Sequence, residues 1–253
     1  MRQDFIRIDG APAATHTAAG GAVFVSPEPE HERAKVWFFT RLGGVSDPPY
    51  DSLNVSKVVG YGEAAVTENL RRIQEAMDGR PSAWVKQVAG DEVVRVSEAG
   101  FAGEADALVT DRTGFSLVVA VADCVPVTLV GEQEVGMVHS GWRGTLAGVS
   151  AKAAWKMVDP SPTAYIGPCI RGCCYEVSEE LARTFAGRYG EGVVSGRYLS
   201  LPAAIKVNLS EAGVEKVYDL GLCSGCRPDL FYSHRKQGPL TGRNLAAVAR
   251  KPV

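Results

Sequence analysis

The chain has 253 residues, 45% of them hydrophobic and 22% charged, which is enough apolar material for one large core or two small ones. A formal net charge of −2 gives no bulk attraction to nucleic acid or to an anionic membrane, so any bound anion must meet a local cluster of cations. No run approaches the roughly 18 apolar residues of a membrane span, and Asp4, Arg7 and Asp9 interrupt any signal-peptide core, so a cytoplasmic protein is expected.

Residues 1–22, rich in Ala, Gly and Thr, read as a loose arm or a short edge strand, leaving 23–253 as a single domain. His16 and His31 both fall in expected solvated loops. Val36 to Phe39 reads as a buried strand, and Gly43-Gly44 after it marks a turn that lets a ligand approach the backbone. Tyr50 to Asn54 is a polar loop. Val66, Leu70, Ile73 and Met77 share one face of a helix that stops at Asp78-Gly79. Residues 84–88, 93–96 and 107–110 are short strand candidates.

The stretch from Leu117 to Met157 organises the rest. Leu117 to Val121 is an apolar run that breaks at Ala122-Asp123-Cys124-Val125-Pro126. A second run, Val135 to Val138, ends in His139-Ser140-Gly141-Trp142-Arg143-Gly144-Thr145. Leu146, Val149, Ala153 and Met157 then recur at helical spacing. The pattern predicts strand, strand, helix, with polar chemistry at both breaks.

Further on, Tyr165 to Ile170 reads as a strand entering a turn. Ser178, with Glu179 and Glu180 behind it, starts a helix lined by Val177, Leu181 and Phe185. Another helix covers 202–212, and 216–220, 229–233 and 244–249 read as late strands or strand–loop transitions. Short strands mixed with about four helices predict one α+β or α/β unit.

Three chemistries are open at Cys124 and His139, which lie 15 positions apart on strands joined near Gly131. They are good zinc ligands, although a catalytic zinc takes three protein ligands. They could be a nucleophile and its base. They could also simply pack. The helix start at Gly141 to Thr145 favours an anion, with Arg143 as a bidentate donor for phosphate or carboxylate; the alternative is Arg143 lying over the helix start with Thr145 as a plain cap. Cys223-Ser224-Gly225-Cys226 has CxxC spacing, but the adjacent pair Cys173-Cys174 is poorly spaced for the same tetrahedral site, so thiols without a metal are expected there. Ser233 to Lys236 and Thr241 to Asn244 gather three cations and a histidine in a solvated loop or a second anion-facing wall.

The motifs Phe38 to Ser46, Ser52-Leu53-Asn54, Lys86-Gln87-Val88, Ala105 to Thr110, Ala122 to Pro126, His139 to Thr145 and Ile166 to Ile170, taken together, resemble the laccase-domain family of multicopper polyphenol oxidases. That family is also described as purine nucleoside phosphorylases and, for some bacterial members, as peptidoglycan editing factors. The resemblance runs from about residue 36 to 248. It implies a layered α/β/β/α sandwich with mixed sheets. It also implies a metal, usually zinc and alternatively copper, held by two histidines and a cysteine. Carried across, the cysteine is Cys124 and one histidine is His139. The other position is Ala89, which is no ligand; Asp91 and Glu92 lie nearby but off the matching position.

The implied activity is phosphorolysis of adenosine and inosine, extending to methylthioadenosine and to adenosine deamination, and impaired by Ala89. Its partners are a small-molecule nucleoside and phosphate; no nucleic acid, membrane or partner protein is indicated. Cys124, His139 and Asp123 are then the catalytic candidates. Arg143 would hold phosphate with Arg41 as a second candidate, Asn54, Gln87 and Asp123 would orient ribose or base, and Thr145 is a further substrate-binding candidate. Two alternatives stand beside it. One is a Cys–His amide hydrolase editing peptidoglycan precursors, in which Cys124 attacks and His139 takes the proton. The other is copper-dependent polyphenol oxidation, which a chain with four histidines supports poorly.

Overall fold

The computed structural model describes residues 13–56 and 62–252, so residues 1–12 of the expected arm lie outside the described residues. The chain opens with β1 (Ala13–Thr17), β2 (Val23–Pro27), β3 (Ala34–Phe39) and α1 (Glu63–Ala76). It continues through β4 (Ser82–Lys86), β5 (Val93–Arg95), β6 (Gly100–Glu104), β7 (Ala107–Thr110) and β8 (Ser116–Val121). The central stretch supplies β9 (Val125–Val130), β10 (Val135–Ser140), α2 (Trp142–Leu146), α3 (Val149–Lys156) and β11 (Thr163–Ile166). The remainder forms α4 (Glu179–Tyr189), β12 (Val194–Ser195), β13 (Tyr198–Leu199), α5 (Leu201–Glu211), β14 (Val217–Asp219), α6 (His234–Gln237) and β15 (Asn244–Arg250).

Two mixed sheets stack face to face between helices. One has the order β1-β2-β3-β15-β8-β4-β6 and the other β14-β11-β9-β10-β7-β5. The apolar runs explain this layering, because a strand buried on both faces needs no polar alternation. In β8, Leu117, Val119 and Val121 pack between the sheets against Met137 and Tyr165, while Val118 faces outward toward Ile73 and Met77 at α1. Val36 and Phe38 of β3 point inward in the same way, with Trp37 and Phe39 on the α1 side. On the far face of the second sheet, Val127, Leu129 and Val138 pack against Phe185 of α4 and against Ile205 and Leu209 of α5. Each such side chain contributes about 1.5–3 kcal/mol by leaving water. The α/β/β/α sandwich is therefore the architecture.

Several local expectations are corrected. The helical spacing after Gly141 is interrupted, because Gly148 adopts a left-handed conformation (φ 77°) and splits it into α2 and α3. Residues 229–233 form no strand, and β6 is an addition, since Gly-Phe-Ala-Gly-Glu carries little strand signal. His16 lies on the edge strand β1, with Nε2 at 2.8 Å from Ser26 Oγ, instead of in a solvated loop. By contrast, α4 starts where its caps require, with Ser178 Oγ accepting from the Leu181 N–H, and α5 begins with Ser200 capping and Pro202 in its first turn.

Register then brings the chemical residues to one end of the sandwich. In the antiparallel β9–β10 pair, His139 lies opposite Pro126 and Ser140 opposite Val125, so Cys124 arrives beside the exit of β10. The β10–β7 pair sets Val138 opposite Ala107, and the His139 N–H donates to the Asp106 carbonyl at 2.7 Å. Strands β4 and β5 belong to different sheets, so the connection 87–92 must cross the sandwich at this same end.

Candidate functional site

Asp106 is the hidden anchor of the site. It is fully buried, and its carboxylate accepts three consecutive backbone N–H groups, from Val88 (3.3 Å), Ala89 (3.0 Å) and Gly90 (2.6 Å). Its fourth partner is His139 Nδ1 at 2.7 Å. Burial alone would raise the Asp106 pKa, but these hydrogen bonds overcome it and hold the carboxyl below its usual range. An ionised Asp106 makes Nδ1 the protonated ring nitrogen, which leaves Nε2 for the side chain of Cys124, the other hydrogen-bond partner of His139. Burial opposes the imidazolium, yet Asp106 and Cys124 together push the His139 pKa up to about 9. At neutral pH this is a proton-loaded imidazole against a sulfur.

Gly141 faces the sulfur. A Cβ built there would sit 3.2 Å from Cys124 Sγ, so the glycine gives the sulfur its room. Asp123, in a left-handed conformation (φ 84°), turns the chain into β9. Its carboxylate accepts from Ser224 Oγ at 2.7 Å and from the Arg235 N–H at 2.6 Å. The Arg235 guanidinium lies 5.1 Å over the Tyr175 ring, and that ring's hydroxyl feels Cys124, Asp123, Arg143 and Arg235 together. Arg243 is also close to Cys124 and Asp123, though burial dominates and lowers its pKa. Arg243 thus lies near the thiol itself, and Arg143 and Arg235 near the Tyr175 hydroxyl beside it.

The residues expected to bind substrate divide into two groups. Arg143 is exposed and stacks 4.2 Å over Trp142, and among the described residues its guanidinium has no hydrogen-bond partner. Cys124 and His139 converge, while Asp123, adjacent to Cys124 in the chain, turns its carboxylate to Ser224 and Arg235. The other four use their polar groups internally. Arg41 donates to the Asp51 and Pro228 carbonyls, pairs with Asp51 at 3.1 Å and covers the Tyr232 ring. Gln87 exchanges two 2.9 Å bonds with the Ala120 backbone and so extends the β4–β8 pairing. Asn54 is buried and accepts from the Arg243 N–H at 3.0 Å, which fixes the loop carrying that arginine. Thr145 is buried, bonding the Gly141 carbonyl and Ser140. The helix behind Gly141 is only five residues long, so its dipole adds little for an anion and the arginines carry that task.

Sequence reasoning passed over Asp106, Tyr175 and Ser224 as site residues, and offered Arg235 and Arg243 only as part of a second anion-facing wall. Asp106 had one available signal, an acid at the start of an otherwise apolar strand. Tyr175 and Ser224 come from loops more than fifty residues from Cys124, and no pattern announces them.

A metal held by two histidines and a cysteine does not fit these side chains. Cys124 and His139 converge, but Ala89 offers no lone pair. Asp106 is committed to four donors, Asp91 pairs with Lys152, and Glu92 is exposed. Among the described residues, the group of ligating side chains close enough to share one ion is elsewhere: Cys173, Cys174, Cys223 and Cys226. The adjacent pair and the CxxC, read from their spacing as poorly suited to one tetrahedral site, are brought together by the fold.

A profile described as multi-copper polyphenol oxidoreductase laccase matches residues 35–251. A purine nucleoside phosphorylase, YlmD, from Geobacillus stearothermophilus is 32% identical over 242 residues, covering 84% of this chain and 88% of the relative. A purine nucleoside phosphorylase from Deinococcus radiodurans is 36% identical over 224 residues, covering 83% and 87% respectively. The crystal structure of YlmD from Geobacillus stearothermophilus superposes with a TM-score of 0.86 at 29% identity, covering 95% of this chain and all of that one. No helix among the described residues is long and apolar enough to cross a membrane. From residue 35 to 251, in sequence and in fold, this chain belongs to the multi-copper polyphenol oxidoreductase laccase family.

Proposed function

We propose that this protein is a purine nucleoside phosphorylase acting on adenosine and inosine in the cytoplasm. The observation that carries the reading is a buried His139 held between Asp106 and Cys124, with Arg243 near that sulfur and Arg143 and Arg235 near the adjoining Tyr175 hydroxyl. Phosphorolysis needs a cationic seat for phosphate and a proton for the departing purine, and this arrangement supports both. Hydrogen phosphate is bound through Arg143, whose guanidinium stacks on Trp142 and makes no hydrogen bond among the described residues. A phosphate oxygen bonds to C1′ of the ribose as the C1′–N9 bond breaks and its electron pair leaves with the purine. The His139 Nε2 proton passes by way of the Cys124 sulfur to the purine, and the proton released by phosphate restores the imidazolium. Asp106 stabilises that imidazolium and fixes its orientation. Cys124 holds the Nε2 edge of the ring, and Asp123 orients the ribose. No step runs through a metal, because the donor set at Cys124 and His139 does not complete one.

The line Asp106–His139–Cys124 also suits a thiol nucleophile, which favours amide hydrolysis on a peptidoglycan precursor as the second reading. The two are separated by incubating inosine with phosphate and following hypoxanthine and ribose 1-phosphate, for the chain as it stands and for Ala89→His. Phosphate-dependent turnover, larger in the variant supplied with zinc, is expected. If neither protein releases hypoxanthine, the phosphorylase reading fails. An acyl group trapped on Cys124 from an amide substrate would establish the hydrolase instead.

A further inference from the structure

Two cysteine motifs remain outside the site just described. Cys173-Cys174 follows β11 on a turn closed by the Cys174 N–H to the Arg171 carbonyl (2.8 Å), and Cys223-Ser224-Gly225-Cys226 follows β14. β11 and β14 are parallel neighbours, so their exits lie side by side. A parallel bridge joins Cys169 to Cys223, with the Ser224 N–H on the Cys169 carbonyl at 2.9 Å. The two loops therefore fold onto each other across a separation of 53 residues between Cys173 and Cys226.

The four sulfurs form one compact group. Cys173 lies 3.5 Å from Cys223 and 3.5 Å from Cys226, Cys174 lies 3.4 Å from Cys226, and all four sulfurs fall within 4.8 Å of one another. A zinc ion with Zn–S bonds of about 2.3 Å sets tetrahedral sulfurs roughly 3.8 Å apart, which this cluster reaches with changes of up to about 1 Å in the sulfur separations. Bonded sulfurs would sit at about 2.0 Å. An iron–sulfur cluster places irons and sulfides between its thiolates and would spread them further. Two more features suit a thiolate site. The Cys223 sulfur accepts backbone N–H groups from Arg171 and Cys226. A Cβ at Gly225 would lie 2.9 Å from Cys174 Cβ and 3.1 Å from its sulfur, so only glycine lets the two motifs close.

We propose that Cys173, Cys174, Cys223 and Cys226 bind a single zinc ion as a tetrathiolate site separate from Cys124 and His139. The ion staples the exits of β11 and β14. Ser224, inside the CxxC, is thereby held at 2.7 Å from Asp123, and Tyr175, one residue past Cys174, is held beside Cys124. The inference does not depend on which reaction the protein catalyses.

The test uses the full chain purified without chelator from zinc-supplemented cells. Metal analysis and native mass spectrometry are expected to find about one zinc per chain. The ion should persist in Cys124→Ala/His139→Ala and be lost in Cys226→Ser and in Cys173→Ser. Zinc that follows Cys124 and His139 instead, or sulfurs recovered as disulfides with no metal, would overturn the proposal. Should the serine variants fail to fold, cobalt(II) exchanged into the unaltered chain decides. Tetrahedral d–d bands with strong thiolate-to-cobalt charge transfer support four sulfur ligands, and a spectrum lacking them refutes the site. Stripping the zinc should also speed alkylation of Cys124, and an unchanged rate would refute the staple's hold on the site.

Discussion

The substitution Asp106→Asn removes one charge and leaves the shape nearly unchanged. Burial would by itself lower the His139 pKa; Asp106 first, then Cys124, reverse this and raise it from 6.5 to about 9. That difference corresponds to about 3 kcal/mol of favourable interaction with the imidazolium, shared between the two partners. Because the folded pKa is raised, the contribution is complete below pH 6.5 and disappears as pH rises through about 9. A second loss does not depend on pH. The new carboxamide would turn an NH2 toward the amides of Val88, Ala89 and Gly90, leaving at least one buried donor unpaired at about 1–3 kcal/mol. Urea unfolding of both proteins at pH 6, 8 and 10 measures the sum. The variant should be about 4 kcal/mol less stable at pH 6, with the deficit shrinking by about half toward pH 10. The basic limb of its activity profile should also move to lower pH, since burial then acts on His139 with less opposition. A deficit that is flat with pH, or below about 1 kcal/mol throughout, would refute the buried-pair account.

Three other substitutions probe different parts of the argument. Arg143→Ala should raise the KM for phosphate about 10–100-fold while leaving the KM for inosine within a few-fold, as expected on losing one charged hydrogen-bond donor; steady-state kinetics with each substrate varied checks this. Gly141→Ala should reduce turnover with little change in unfolding midpoint, because the new methyl presses on Cys124 Sγ and not on the core; a fully active variant would mean the sulfur is not confined. Asn69→Ala should cost about 2–4 kcal/mol in denaturant unfolding, since its fully buried amide bonds the Val45 N–H, Ser46 Oγ and the Ser52 and Asn54 carbonyls, tying α1 to the loop before it.

Much of the layering could be read from the chain because the information is local. Leu117 to Val121 is apolar at every position, which only a strand covered on both faces tolerates, and Ser178 with two following acids announces a helix start. Cys124 and His139 were legible for a related reason: each is a polar interruption at the end of such a run. What stayed hidden depends on register and on distant loops. Nothing near Asp106 says that the 87–92 connection will close over it, since that follows from β4 and β5 entering different sheets. The internal partners of Arg41 were hidden for the same reason. A cation after a strand and before two glycines suits a ligand, but Asp51 and the Pro228 carbonyl already take its donors. The cysteines show the same limit, for spacing along the chain says little when two parallel strands deliver their exits to one place.

Ala89 itself holds its place through its main chain. It sits in a left-handed conformation (φ 58°), and its amide, like those of its neighbours, is fastened to the Asp106 carboxylate. The turn is thus a fixed socket whose side chain is an interchangeable fitting. Descendants of one ancestral scaffold could swap that fitting, gaining or discarding a donor atom, while the rest of the architecture passes unaltered from generation to generation.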